Sequence, residues 1–238
     1  MQYKRVILLL FLVVFSRVMA QDRKFNFGVG VFPNLSFGII TNNGNTPGYV
    51  ENAYKEIEIS QIAYSVNGFT EYQLSKRTRL GIGLGLQKNG EQTGKMELIF
   101  QIDPVTGEPI VNPSDPTHAK SVYNHYNVEV PLYFKLNFGK KSYFLVGASA
   151  LLNFSNTNTQ VLYYSNHKKE RSTVQDNSTD FRTFNVMGNI GYGIDYLKRE
   201  KFTLFFQPYV QYGILGVSKT ANLNRNILSI GFVTGIRF

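Results

Sequence analysis

Apolar and polar residues alternate one by one over most of this chain. The stretch around which the rest is organised is Asn127 to Phe154, which reads as two strands and a tight turn. Val128, Val130, Leu132, Phe134, Leu136 and Phe138 fall on one face, and Glu129, Pro131, Tyr133, Lys135 and Asn137 on the other. A period of two marks an extended strand, because a helix would gather every third or fourth residue. Gly139-Lys140-Lys141 supplies the turn. Phe144, Val146, Ala148, Ala150, Leu152 and Phe154 then form the apolar row of the returning strand. Each strand runs about ten residues, enough for a tilted strand to cross a bilayer.

The same period recurs along the chain. Phe25, Phe27, Val29 and Val31 share a face in a first strand over 24–37, where Pro33 signals a bend. TNNGNTPG, residues 41–48, is dense in turn formers and reads as loop. A second strand lies within 57–74. A third, over 78–87, alternates Leu80, Ile82, Leu84 and Leu86 with Arg79, Gly81, Gly83 and Gly85. Beyond the central hairpin, strands are predicted over 184–196, 202–214 and 226–238. The connections run long, short, long, short, long, short, intermediate. The short ones carry Lys76, Arg77, Lys140, Lys141, Lys198 and Arg199. The long polar ones, 88–123 and 155–180, are expected to be loops. Within them Glu97 to Ile102, Tyr163 and Tyr164 are candidates for strand extensions.

This pattern predicts an all-β fold: an eight-stranded antiparallel transmembrane β-barrel, an up-and-down meander with short periplasmic turns and long extracellular loops. An even strand number lets first and last strands pair and leaves no edge to lipid. Alternation alone also fits a soluble lipocalin-like barrel with its apolar face inward. The polar face decides between them. It is Gly, Ser, Asn, Gln and Tyr with isolated charges, not the Lys and Glu of a solvated surface. Glu71, Arg79, Glu129, Lys135, Asp195 and Arg237 are expected to meet inside as a self-neutralising network that plugs the lumen.

Composition fits an exported protein. Lys4 and Arg5 precede the short apolar run 6–15, and Val18-Met19-Ala20 offers small residues for cleavage. Residues 1–20 therefore read as a signal peptide and 21–238 as one outer-membrane barrel domain. Losing Lys4, Arg5 and Arg17 takes the formal charge from +9 to +6. That basic balance suits an anionic membrane face. No basic cluster or reader motif points to nucleic acid. With no cysteine, disulfides, thiolate metal sites and a lipoprotein anchor are excluded.

The ending, residues 229–238, resembles the signal by which outer-membrane barrels are recognised for assembly, through Gly231, Ile236 and Phe238. Val233 stands where the usual glycine would be. With the strand 80–86 and the hairpin VEVPLYFKLNFGKKSYFLVGASA, it makes the chain resemble the PorT-like and OmpA-like eight-stranded barrels of Gram-negative outer membranes. That resemblance implies a cell-envelope protein, inserted by the barrel-assembly machinery and surrounded by outer-membrane lipid and lipopolysaccharide. Such barrels include membrane anchors, adhesion proteins and secretion-system parts. No wall-binding domain of the OmpA type is expected after Phe238.

Candidate chemistry is sparse. Gly81-Ile82-Gly83-Leu84-Gly85 lacks the helix that a dinucleotide loop requires, and Gly90 to Lys95 is one residue short of a phosphate loop. His118, His125 and His167, with Asp115 or Asp180, are weighed as a metal set and set aside, since loop histidines are ordinarily solvated. Ser121, His125 and Glu129 are the candidates for a lipid-modifying catalytic set. No cofactor, metal or catalytic residue is expected. The expected function is non-enzymatic, structural or partner-binding through extracellular loops, in a secretion or surface assembly. An outer-membrane lipid-modifying enzyme and a soluble lipocalin-like carrier are the alternatives.

Overall fold

The computed structural model describes residues 24–238 apart from 43, 45, 101, 103, 109, 111, 113, 140, 177, 179, 220 and 221. The expected signal peptide, residues 1–20, lies outside them. Eleven strands and one helix form among the described residues: β1 (Phe25–Asn42), α1 (Gly48–Ile57), β2 (Glu58–Ile59), β3 (Gln61–Gln73), β4 (Thr78–Thr93), β5 (Met96–Glu97), β6 (Pro116–Phe138), β7 (Ser142–Tyr164), β8 (Lys169–Gln175), β9 (Phe184–Lys198), β10 (Thr203–Gly213) and β11 (Leu223–Arg237). Eight of them close a ring in the order β1, β3, β4, β6, β7, β9, β10, β11 and back to β1, every pair antiparallel.

Closure is a hydrogen-bonding requirement. Hydrocarbon offers no partner to an open strand edge, so the last strand must return to the first. Gly28 lies opposite Arg237 and Asn42 opposite Leu223. The terminal residue takes part, with Phe238 N donating to Phe27 O at 2.7 Å. Of the expected assembly-signal residues, Ile236 and Phe238 point outward, while Gly231 lies inward against the backbone of Pro33 and Asn34.

The pleat sorts the side chains. Leu84 is 63% exposed, and Leu80, Ile82, Leu132, Val146, Phe206 and Ile230 are exposed with it. Glu71, Ser149 and Ser229 are fully buried inside. Aromatic residues gird both margins of this apolar belt. Phe25 and Tyr72 pair at 4.9 Å near the short-turn end, and Tyr126 and Phe154 at 6.4 Å near the other, beside the exposed Tyr64. These are the rims where such rings meet headgroups.

β6 and β7 are 23 residues long, about twice what a tilted strand needs to cross. The surplus rises above the upper rim as a four-stranded blade, β5–β6–β7–β8. β7 pairs with β9 as far as Leu152, bulges next to Phe154, and pairs with β8 from Thr157. The expected loop 155–180 is thus largely strand, and the expected loop 88–123 is strand at both ends: β4 continues to Thr93, β6 begins at Pro116, and β7 folds back on β8. Outside the belt both faces are wet, so the apolar alternation fades while the ladder continues. Among the described residues of 97–102, only Glu97 joins a named strand. The helix α1 is a feature that the alternation does not report.

Leu84→Arg should cost about 2–4 kcal/mol of folding free energy in a bilayer. Reversible denaturant titration of the protein in lipid vesicles measures it, and an unchanged midpoint refutes the outward placement.

Candidate functional site

The lumen is filled in layers. Nearest the short turns lies an ionic cluster centred on Glu71, which is fully buried on β3. Lys135 of β6 donates to its Oε1. Arg237 of β11 reaches Oε2 at 3.1 Å and Arg79 of β4 the same oxygen at 3.4 Å. Arg237 also pairs with Asp195 of β9. Tyr133 donates to Glu71 Oε1 at 3.1 Å, and the Lys135 ammonium lies 4.2 Å from the centre of the Tyr143 ring. Glycine makes room for these rings: a Cβ on Gly81 would strike Tyr133, and one on Gly193 would strike Tyr143.

Five of the six expected network residues therefore meet. The sixth needs correcting. Glu129 is fully buried, yet no Lys or Arg among the described residues pairs with it. It sits six positions from Lys135 on β6, some 20 Å along the strand. There its Oε1 accepts from Ser149 and from Gln211, each at 2.8 Å.

Between these two carboxylates the lumen is apolar and aromatic. Phe32, Tyr133, Leu145, Phe205, Tyr209 and Val233 form one packed cluster, with Phe69 against it. Single inward apolar residues among polar neighbours gave the alternation no reason to reveal this layer.

Above Glu129 runs a chain of side-chain hydrogen bonds that sequence reasoning also missed. Gln87 donates to Gln211 at 2.9 Å, Asn89 to Gln87 at 3.1 Å, and Asn127 to Asn89 at 3.3 Å. Asn153 donates to Asn127 at 3.2 Å and exchanges bonds with Asn156 at 3.0 Å. Asn156 accepts from His125 Nδ1 at 2.8 Å. The only readable signal was inward Gln and Asn at every second position. Two lumen cavities of about 30 and about 40 Å³ remain, each the size of a water or so.

The weighed chemical sets do not assemble. Ser121, His125 and Glu129 lie four residues apart on one strand, about 13 Å per step. His125 bonds Asn156, Glu129 bonds Ser149 and Gln211, and the Ser121 amide bonds Thr93. His118 bonds its neighbour Thr117, and His167 sits in the β7–β8 turn at φ 64°. Among the described residues, no three His, Asp or Glu side chains form a group able to hold a metal.

At the outer mouth a latch joins α1 to the barrel. Arg225 Nε lies 3.4 Å from Glu91 Oε1 and 3.8 Å from Glu58 Oε2, with its guanidinium 5.3 Å from the centre of the Tyr54 ring. Burial, then repulsion by Glu91, pushes the Glu58 carboxyl up to about 7, against the pull of Arg225 and a Gly38 backbone hydrogen bond. Glu91 is three residues beyond the rim residue Lys88, so this latch stands clear of the hydrocarbon.

Glu71→Gln strands Lys135, Arg79 and Arg237 around a neutral amide. It should destabilise the barrel by about 3–5 kcal/mol in vesicle denaturation, whereas Glu129→Gln should have a far smaller effect. The latch should follow pH with a definite sign. A raised carboxyl holds a proton that the unlatched chain releases. Its contribution is therefore complete below the usual value of 4.5 and is lost as pH rises through about 7. Hydrogen-exchange protection of α1, corrected for intrinsic rates, should fall roughly tenfold between pH 4.5 and 8, and Glu58→Gln should flatten the profile.

Several solved structures match this chain at low similarity. Neisserial surface protein A matches with a TM-score of 0.38 and 9% identity, over 89% of this chain and 95% of that one. Ail, the attachment invasion locus protein of Yersinia pestis, matches at 0.39 and 10% or less identity, over 90% of this chain and 99% of its own. The outer membrane protease OmpT from Escherichia coli matches at 0.39 and 8%, over 91% and 96%. No curated protein matches the chain. The family described as "Outer membrane protein beta-barrel domain" matches residues 19–218. The chain belongs to that family and is a β-barrel protein of the outer membrane.

Proposed function

We propose that this barrel is a non-enzymatic scaffold that holds an extracellular blade for a protein partner, as a structural member of a surface or secretion assembly. The observation that carries this reading is the division of labour along the strands. Inside the belt, side chains pack the lumen in layers, and the two cavities found among the described residues there are of about 30 and about 40 Å³. Above it, strands twice the spanning length build β5–β8. A filled barrel does not conduct, so the working surface is the part that projects. β8 is exposed along its whole length and pairs only with β7 among the described residues, which leaves one ladder edge open. An open edge can take another strand, and Lys169, Glu170 and Arg171 along it guard against indiscriminate pairing. The PorT-like resemblance of the hairpin and the last strand supports the secretion version.

A photo-crosslinker placed at Val174, a position that stays in the shortened chain, should capture a protein partner in living cells, and replacing 159–173 with a tight turn should abolish capture while the barrel still assembles. Persistent capture after that replacement refutes the blade as the working surface. His125→Ala with His167→Ala should leave lipid A composition unchanged; an altered profile favours a lipid-modifying enzyme instead.

A further inference from the structure

The two faces of the blade carry different charge. Register fixes which residues share the outward face. Lys120, Val161 and Arg171 form one cross-strand row, and His118, Tyr163 and Lys169 the next. Lys95 reaches the same face from the β4–β5 turn, its ammonium 4.5 Å from the centre of the Tyr163 ring, with that of Lys169 at 5.6 Å. Lower down, Lys88 lies in the row Tyr64–Lys88–Tyr126. Arg171 is near enough for its charge to act on Lys88. Among the described residues of these strands and the β4–β5 turn, five cations thus share a face with one carboxylate, Glu97, which lies opposite His118. Glu170 belongs to the opposite face, where it pairs with Lys168 at 2.7 Å and accepts from Tyr164.

The place of this face selects its partner. It continues the lipid-facing belt upward along β4 and β6, whose pairing runs unshifted from Gly85 to Gln92, while the bulge at the rim lies on β7. Lys88 stands between two rim tyrosines, at the depth where aromatic residues meet headgroups. Its ammonium therefore lies among headgroups, with Lys120 and Arg171 in one row above it and Lys169 in the next row up. Like charges crowded within a Debye length repel one another, and an anion seated between them relieves that repulsion. Lys88 and Lys120 are each half-buried, and the Lys88 ammonium lies 6.0 Å from the centre of the Tyr64 ring.

We propose that the outward face of the blade, through Lys88, Lys120, Lys169 and Arg171, binds the phosphate groups of the anionic glycolipid of the outer leaflet. The protein then carries a collar of this lipid on one side, which sets the tilt of the blade against the membrane surface. This goes beyond the scaffold role and rests on it only in taking the blade to be extracellular.

The test uses the full mature chain folded in zwitterionic detergent and titrated with purified lipopolysaccharide, intact or enzymatically dephosphorylated. The intact lipid should bind at least about tenfold more tightly. Lys120→Glu with Arg171→Glu should erase that preference, and the milder Lys120→Gln with Arg171→Gln should reduce it should the reversal fail to fold. Lys76→Glu with Arg77→Glu, the same charge change in a short turn, should keep it. Equal binding of both lipids overturns the proposal, as does an unchanged preference in the Gln variant or a preference for soluble sulfated polysaccharide over lipid. A separate arm tests the placement. The chain has no cysteine, so Ser172→Cys gives a single thiol. Labelling by a membrane-impermeant maleimide on intact cells places the blade outside. Absence of labelling overturns the scaffold reading and this proposal together, whereas labelling without phosphate preference overturns the lipid assignment alone.

Discussion

Hydrocarbon cannot hydrogen-bond, and everything else in this molecule follows from that constraint. A strand that enters the bilayer must find a ladder partner on each side, so β1 and β11 meet and the sheet becomes a ring. Once the ring closes, the pleat has only two destinations. Outward positions face acyl chains and are Leu, Ile, Val, Phe and Tyr. Inward positions face one another across a narrow bore. Eight strands leave just enough room for side chains, so the bore must be packed. Packing polar groups away from water then requires that each find a partner. Glu71 with its three cations and the amide chain from Gln211 to His125 are two solutions to that requirement.

The two solutions differ in kind, and the difference explains Glu129. A carboxylate in the lumen is stabilised either by formal charge or by neutral donors. Glu71, on β3, sits where β4, β6 and β11 each present a cation near the short-turn end. Glu129 sits higher, where the facing strands offer Ser149 and Gln211. An aromatic layer around Phe205 and Tyr209 separates the levels. The lumen is therefore stratified: ionic, aromatic, amide, and then the latch of Glu58, Glu91 and Arg225 at the mouth.

Period two was sufficient to read the ring from the sequence. Wherever one face meets lipid and the other a polar bore, the contrast is written residue by residue, as in Leu80 to Leu86 and Val128 to Phe138. It also placed Glu71, Arg79, Lys135, Asp195 and Arg237 on inward positions near one end, from which their meeting could be argued. It could not place Glu129, because which inward residues share a level depends on strand stagger. The blade was illegible for another reason. Above the rim neither face contrasts with the other, so Lys120, Val122, Ser155 and Thr157 look like loop although their ladder is unbroken. The helix α1 has no buried residue, and an element with nothing to bury leaves little periodic trace.

The change of partner along β7 ties these parts together. Up to Leu152 it is a barrel strand beside β9; from Thr157 it belongs to the blade beside β8. The bulge between them absorbs the extra residue and releases β9 to leave the wall at the rim. The ring is consequently walled high on the side of β4, β6 and β7 and low on the side of β9, β10 and β11. On the low side the mouth is guarded by Arg225 at the start of β11, which draws in Glu58 and with it α1. The tall wall thus has its inner face committed to the mouth, where Glu91 meets Arg225, and its outer face free to meet whatever lies on the membrane. That asymmetry comes from the extra length of β6 and β7 above the rim, and it is what turns a symmetric ring into a molecule with a front and a back.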